Sequence, residues 1–140
     1  MMHGRVVWGG VVVWSVALVT SLFAAEGGQT TPRAEAAKLK NPNAANAASV
    51  ATGQQLFQKY CRFCHGATGL GDSPMAPKDM KPSNLADGTW DRGSSDGEIF
   101  VVIQEGAGPD FKMKGLKGKV SDADAWHIVN YVRSLGGVKK

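Results

Sequence analysis

Two thiols and an imidazole stand together at Cys61-Arg62-Phe63-Cys64-His65, and these are the only cysteines of the 140-residue chain. At this spacing both thiols fall near one face at the end of a helix, with the imidazole directly after them. That order suits covalent attachment of haem: each thiol adds to one vinyl group to make a thioether, and the neighbouring imidazole reaches the iron as its proximal ligand. A disulfide between the two would close a very small loop and constrain the unfolded chain little. Two other chemistries use paired thiols. A structural zinc site needs four ligands, and the remaining histidines, His3 and His127, lie far away in the sequence. A thioredoxin-like pair sits beside a βαβ pattern, which this sequence lacks.

The elements that position these groups read as helices, which makes the fold class all-α. Residues 52–60 place Gly53, Leu56, Phe57 and Tyr60 on one helical stripe that runs into the cysteine motif, with a small residue where another helix could cross closely. Residues 95–104 carry Ile99, Phe100, Val102 and Ile103, which also suit a strand. Asp96 as a cap or first-turn acid and Gly106 as a stop favour helix. The last helix opens at Ser121-Asp122-Ala123-Asp124, a hydroxyl cap followed by acids at the positive end of the dipole. Ala125, Ile128, Val129, Val132 and Leu135 form its apolar stripe, and Gly136 and Gly137 stop it. A folded unit of residues 51–140 is short enough to need a staple, metal or cofactor to complete its core.

Taken together, residues 51–137 resemble a class I, single-haem c-type cytochrome of bacterial type. The likeness rests on Gly53 and Phe57 ahead of CRFCHG, the PSNL segment, the GSSDGEIFVVIQEG helix, a methionine-bearing loop and the terminal WHIVNYVRSLG helix. It implies a small helical fold wrapped around one covalently attached haem c with its iron, one haem edge near solvent, and single-electron transfer as the activity. It also implies that the first and last helices cross, with Gly53, Phe57 and Tyr131 as contact residues.

The resemblance extends to further site residues. Cys61 and Cys64 are the haem attachment points and His65 the proximal iron ligand. Met113, in GAGPDFKMKGLKGKVSD, stands where similar cytochromes place the distal ligand, although Lys114 follows it where proline is frequent. A thioether favours ferrous iron and raises the potential relative to a second imidazole. Met75 and Met80 are rivals, and His127 reads as a surface histidine. Pro82 resembles the proline whose carbonyl holds the other ring nitrogen of the proximal histidine, with Pro74 and Pro77 as substitutes, and Leu85 is expected against the haem face. Tyr60, Trp90 and Phe111 are candidates for the pocket lining. Lys112, Lys114, Lys117 and Lys119, with Lys78 and Lys81 from another loop, suggest a basic rim that would steer a redox partner through an acidic docking patch, while Asp72 and Asp79 interleave with the second group.

The amino-terminal part reads as an address. Residues 6–25 form an uncharged apolar run after Arg5, which fits a secretory signal peptide or, uncut, a membrane anchor. Cleavage after Ala25 or Ala24 would put Phe23 or Leu22 at the third position back, a poor match to the small-residue rule. Export implies a periplasmic domain, soluble or tethered to the inner membrane through residues 6–25. Residues 26–50, rich in Ala and Asn, read as a flexible linker too poor in large apolar groups to fold alone. A formal net charge of +4 does not point to nucleic acid. The expected function is a single-electron carrier, itself not an enzyme, between exported or membrane redox partners. The alternatives are a haem c subunit of a larger oxidase or dehydrogenase complex, or a gas-sensing or peroxidatic haem protein if the sixth position is open.

Overall fold

The computed structural model describes Met1, residues 33–108 and residues 112–136. The apolar run at 6–25 therefore lies outside the described residues, as do Phe111 and Gly137. The chain forms α1 (Arg33–Ala36), α2 (Ala47–Tyr60), α3 (Arg62–His65), α4 (Asp96–Glu105) and α5 (Asp122–Leu135). Among the described residues there is no strand, and two isolated bridges, Gly106 with Lys114 and Lys117 with Val120, stitch loop backbone together.

Each long helix begins at a side-chain cap. Ser121 accepts the Asp124 N–H at 3.1 Å to open α5, with Asp122 and Asp124 in the first turn as the sequence pattern requires. Ser95, not Asp96, caps α4. Its hydroxyl accepts the Glu98 N–H while the Glu98 carboxylate accepts the Ser95 N–H, a complete capping box. α2 starts at Ala47 rather than residue 52, five residues further back into the alanine-rich stretch, where Asn46 caps it by accepting the Ser49 N–H at 2.9 Å.

The core is the crossing of α2 and α5, with α4 packed on α5. Ala125, Ile128, Val129 and Val132 are buried along α5, and Phe57 of α2 is fully buried against them. The crossing is set by Gly53: a Cβ there would stand 2.0 Å from the His127 carbonyl oxygen and 2.8 Å from Tyr131 Cβ. Close backbone approach then brings the Phe57 and Tyr131 rings to 5.2 Å at 57°. On the other side of α5, Trp126 stacks on Phe100 of α4 at 4.1 Å.

The linker reading of residues 26–50 is corrected from Arg33 onward. That stretch is too polar to fold by its own burial, but it is held by contacts to the helices. Ala36 is buried, and Gly97 at the start of α4 leaves room for the Ala36 carbonyl and Leu39. Arg33 pairs with Glu98 at 2.7 Å. Asn41 Nδ2 donates to Asn130 Oδ1 at 2.8 Å, and Asn130 Nδ2 donates to Ser49 Oγ at 2.7 Å. His127 is accordingly half-buried rather than at the surface, its Nδ1 2.7 Å from Ser49 Oγ. Buried polar groups joined in this way satisfy one another and fix a register.

Two outcomes follow. Gly53→Ala gains up to about 1 kcal/mol of helix propensity but forces α2 off a backbone carbonyl that has no rotamer to turn away with, at about 3 kcal/mol. A net loss of about 2 kcal/mol in chemical denaturation is expected. Second, the Ser95 N–H, the Arg33 guanidinium and the Ser95 hydroxyl hold Glu98 down to about 2 from an ordinary 4.5. A depressed carboxylate stabilises the fold fully above 4.5, and that contribution fades as pH falls toward 2. Unfolding followed across that window should show a steeper acid loss in the wild type than in Glu98→Gln.

Candidate haem-binding site

α2 delivers the cysteine motif and α3 shapes it. The Cys61 N–H donates to the Phe57 carbonyl at 2.8 Å as the last bond of α2, and the Cys61 carbonyl then accepts from Cys64 at 3.1 Å and from His65 at 3.0 Å. One tight turn therefore stacks positions i, i+3 and i+4, the residues that share a helix face. Gly66, at φ 77°, ends the turn where a side chain would strike Asp72 Oδ1.

Cys61, Cys64 and His65 open on a cavity of about 400 Å³. Much of the rest of its wall is apolar: Ile99, Val102 and Ile103 from α4, Ile128 and Val132 from α5, and Leu85 and Trp90 from the long loop between α3 and α4. Tyr60, Met80, Pro82 and Met113 also line it. Met75 is 66% exposed, and neither it nor His127 borders the cavity.

The electrostatics do not favour a redox-active thiolate at Cys61. Burial, with the neighbouring Cys64 adding to it, pushes the Cys61 thiol up to about 12, the reverse of the lowered value that makes a redox-active thiol reactive. Burial also pushes His65 below its usual range, against a smaller upward pull from its contact with Ser83. A carbonyl can only accept, so the contact between His65 Nδ1 and the Ser83 carbonyl oxygen at 3.1 Å places the proton on Nδ1. The lone pair of Nε2 is left for a metal.

The acceptor is thus Ser83, and the expectation for Pro82 is corrected by one residue. The Pro82 carbonyl lies instead where a side chain on Gly71 would stand, 2.4 Å from a Cβ there. Reading a motif gives the segment but not which of two successive carbonyls faces inward.

Met113 sits on a loop whose backbone is sewn to the end of α4. The Ala107 N–H donates to the Met113 carbonyl at 3.1 Å, and the Leu116 and Lys117 amides donate to the Ile103 and Gln104 carbonyls at 2.9 and 3.0 Å. These are carbonyls that a helix end leaves without partners. Gly115 permits the approach, since a Cβ there would stand 2.3 Å from the Gln104 carbonyl oxygen. Helix-end bonds therefore tie down the segment in which Lys114 replaces proline. Met80 was a named rival for the iron, and the structure leaves it on the same cavity. Of the basic rim, Lys81, Lys112 and Lys114 border the opening, but Lys112 is paired with Asp79.

Comparison with known proteins decides the family. Residues 48–132, more than half the chain, match the family model described as cytochrome c oxidase, cbb3-type, subunit III. The chain belongs to this family. It is 34% identical over 98 residues to the cbb3-type cytochrome c oxidase subunit CcoP of Rhodobacter capsulatus, covering 66% of this chain and 31% of that protein. It is 32% identical over 90 residues to subunit FixP of Bradyrhizobium diazoefficiens, covering 64% and 28%. The chain thus spans about a third of the length of these relatives. Two solved structures share the fold. A chain of the Kuenenia stuttgartiensis reducing HAO-like protein complex matches with a TM-score of 0.62 at 24% identity, covering 69% of this chain and 49% of that one. Cytochrome cL of Hyphomicrobium denitrificans matches at 0.54 and 20%, covering 79% and 62%.

Membership in the subunit III family makes residues 48–132 a class I c-type cytochrome domain with covalent haem c and its iron, and makes electron transfer its general activity. The site agrees with this assignment, since two thiols and a neutral imidazole share a wall of an apolar cavity. Gly115→Ala should cost about 1–3 kcal/mol by pushing the methionine loop off α4, seen as a lower midpoint of thermal unfolding with the haem attached.

Proposed function

We propose that this domain passes single electrons as the haem c part of a larger oxidase assembly, with Cys61 and Cys64 as the thioether positions, His65 as the proximal iron ligand and Met113 as the distal one. The observation that carries the reading is that these four side chains border one apolar cavity while the His65 Nδ1–H is already committed to Ser83. Bound haem would supply the one-electron iron couple. The chain's own residues supply the rest. Ser83 fixes the imidazole tautomer, the walls from α4 and α5 exclude water, and the helix-end bonds of α4 hold the Met113 segment in place. A thioether ligand biases the iron toward the ferrous state, which fits a domain that hands electrons on toward an oxidant.

Assignment to an oxidase assembly, rather than to a freely diffusing carrier, is supported by the family match and by two relatives that are named oxidase subunits. In this reading the domain is exported, and residues 6–25 either direct that export or hold the domain at the inner membrane. Among the described residues no helix is long and apolar enough to cross a membrane. Lys78, Lys81, Lys114, Lys117 and Lys119 are exposed, and they form the part of the basic rim open to an acidic face on the partner, while Lys112 is engaged by Asp79.

The test is optical spectroscopy of protein exported in a haem-attaching host. The oxidised wild type should show the weak long-wavelength band of methionine bound to ferric iron and should leave carbon monoxide unbound when reduced. Met113→Ala should lose the band and bind carbon monoxide. Ready carbon monoxide binding by the wild type would instead place a sensor or peroxidase first, and retention of the band in Met113→Ala would move the ligand to Met80. Co-purification of a terminal oxidase activity with the tagged full chain supports the assembly, and a soluble monomer in the exported fraction would make it a free carrier.

A further inference from the structure

Ser83 takes part in two hydrogen bonds at once. Its carbonyl accepts from His65 Nδ1 at 3.1 Å, and its hydroxyl donates to Asp91 Oδ2 at 2.7 Å. Two residues later the Leu85 N–H donates to the Gly69 carbonyl at 2.7 Å, while Gly71, whose own N–H is bonded to the His65 carbonyl at 2.8 Å, leaves space for the Ser83 backbone. The Ser83–Asn84 peptide is thus pinned beyond its far end by Leu85 and at its near end by the Ser83 side chain. Remove the side-chain anchor, and the torsions about Ser83 that aim its carbonyl lose the hydrogen bond that holds them on that side. Both Ser83 and Asp91 border the cavity, so the anchor lies in the wall that His65 shares.

We propose that Ser83 and Asp91 act as a positioning pair for the iron-binding imidazole: Asp91 fixes Ser83, and the Ser83 carbonyl in turn fixes the tautomer and orientation of His65. The inference rests on His65 as the proximal ligand. A well-aimed acceptor at Nδ1 makes the imidazole a stronger donor and favours ferric iron. Slackening it favours ferrous iron and raises the potential. Pro82, the residue expected to supply this carbonyl, has no hydroxyl with which to tether it. Here serine adds a hydroxyl that couples the acceptor to a carboxylate eight residues along the chain.

The experiment uses the haem-attached protein and its variants Ser83→Ala, Ser83→Thr and Asp91→Ala. Potential is read by equilibration with a reference couple. The iron–imidazole stretch is read by resonance Raman on the ferrous form of each in a Met113→Ala background. Loss of one hydrogen bond's worth of alignment should move the exchange equilibrium about fivefold toward the reduced form in Ser83→Ala, with a weaker stretch. Ser83→Thr, which keeps a hydroxyl, should restore both. Ser83→Ala leaves the Asp91 charge in place, so a shift there cannot come from charge alone. The proposal is overturned if Ser83→Ala matches the parent in both readouts, if Ser83→Thr shifts as far as Ser83→Ala, or if only Asp91→Ala moves the potential. A Met113→Ala protein that is five-coordinate by its ferrous optical spectrum and yet shows no iron–imidazole band would mean that His65 is not the ligand, and the inference would fall with that reading.

Discussion

The close crossing of α2 and α5 at Gly53 is the constraint on which the rest of the domain depends. It sets how deep α2 lies, and α2 ends in the turn that carries Cys61, Cys64 and His65. It also sets which face of α5 turns inward, so that Ile128 and Val132 face the cavity while Ala125 and Val129 close the core behind. A larger residue at 53 would change the separation of two walls of the same chamber. Helix packing and site geometry are here one quantity, because the fold encloses its site between the helices rather than displaying it on a loop.

That arrangement leaves the core hollow. Several side chains of the apolar cluster, among them Phe57, Ile99, Ile103 and Val132, also line the cavity, so they have a neighbour on one side and the cofactor space on the other. In a domain of fewer than a hundred residues such a void would remove much of the packing a core provides. Covalent haem would fill it. The polar contacts of residues 33–50 add closure from outside, where Asn41, Ser49, Asn130 and His127 tie the incoming chain to α5 without adding apolar volume.

How much of this the sequence showed follows from what kind of group does the work. Where side chains act, the pattern was legible: the cysteine spacing, the Ser121 cap, the α5 stripe and the small residue at the crossing all appear in place. Where backbone acts, it was not. Ser83 rather than Pro82 holds His65 because the choice between adjacent carbonyls depends on peptide orientation, which no residue type encodes. The docking of residues 33–50 was missed for a related reason. Low hydrophobicity says a segment cannot fold alone, but says nothing about asparagines whose partners, such as Asn130, lie some ninety positions away. Asn46 as a cap was readable in principle from the helix-forming run after it, and was masked by the alanine-rich composition.

The same division explains how the site tolerates an unusual methionine loop. A proline after Met113 would stiffen that segment through its own ring; here Lys114 occupies the place, and stiffness comes from elsewhere. The last turn of α4 must place its orphan carbonyls somewhere, and the loop amides of Leu116 and Lys117 satisfy two of them, at Ile103 and Gln104 respectively. The cost of ending a helix inside the protein thereby becomes the anchor of the loop that borders the cavity. His65 is held by the same economy, with a loop carbonyl that would otherwise need water satisfied by a ring N–H that must be held. In the first case helix-end carbonyls meet loop amides, and in the second a loop carbonyl meets a ring N–H that needs orientation. Each pairing meets two requirements at once, and this lets so short a chain build a site whose key contacts are largely main chain.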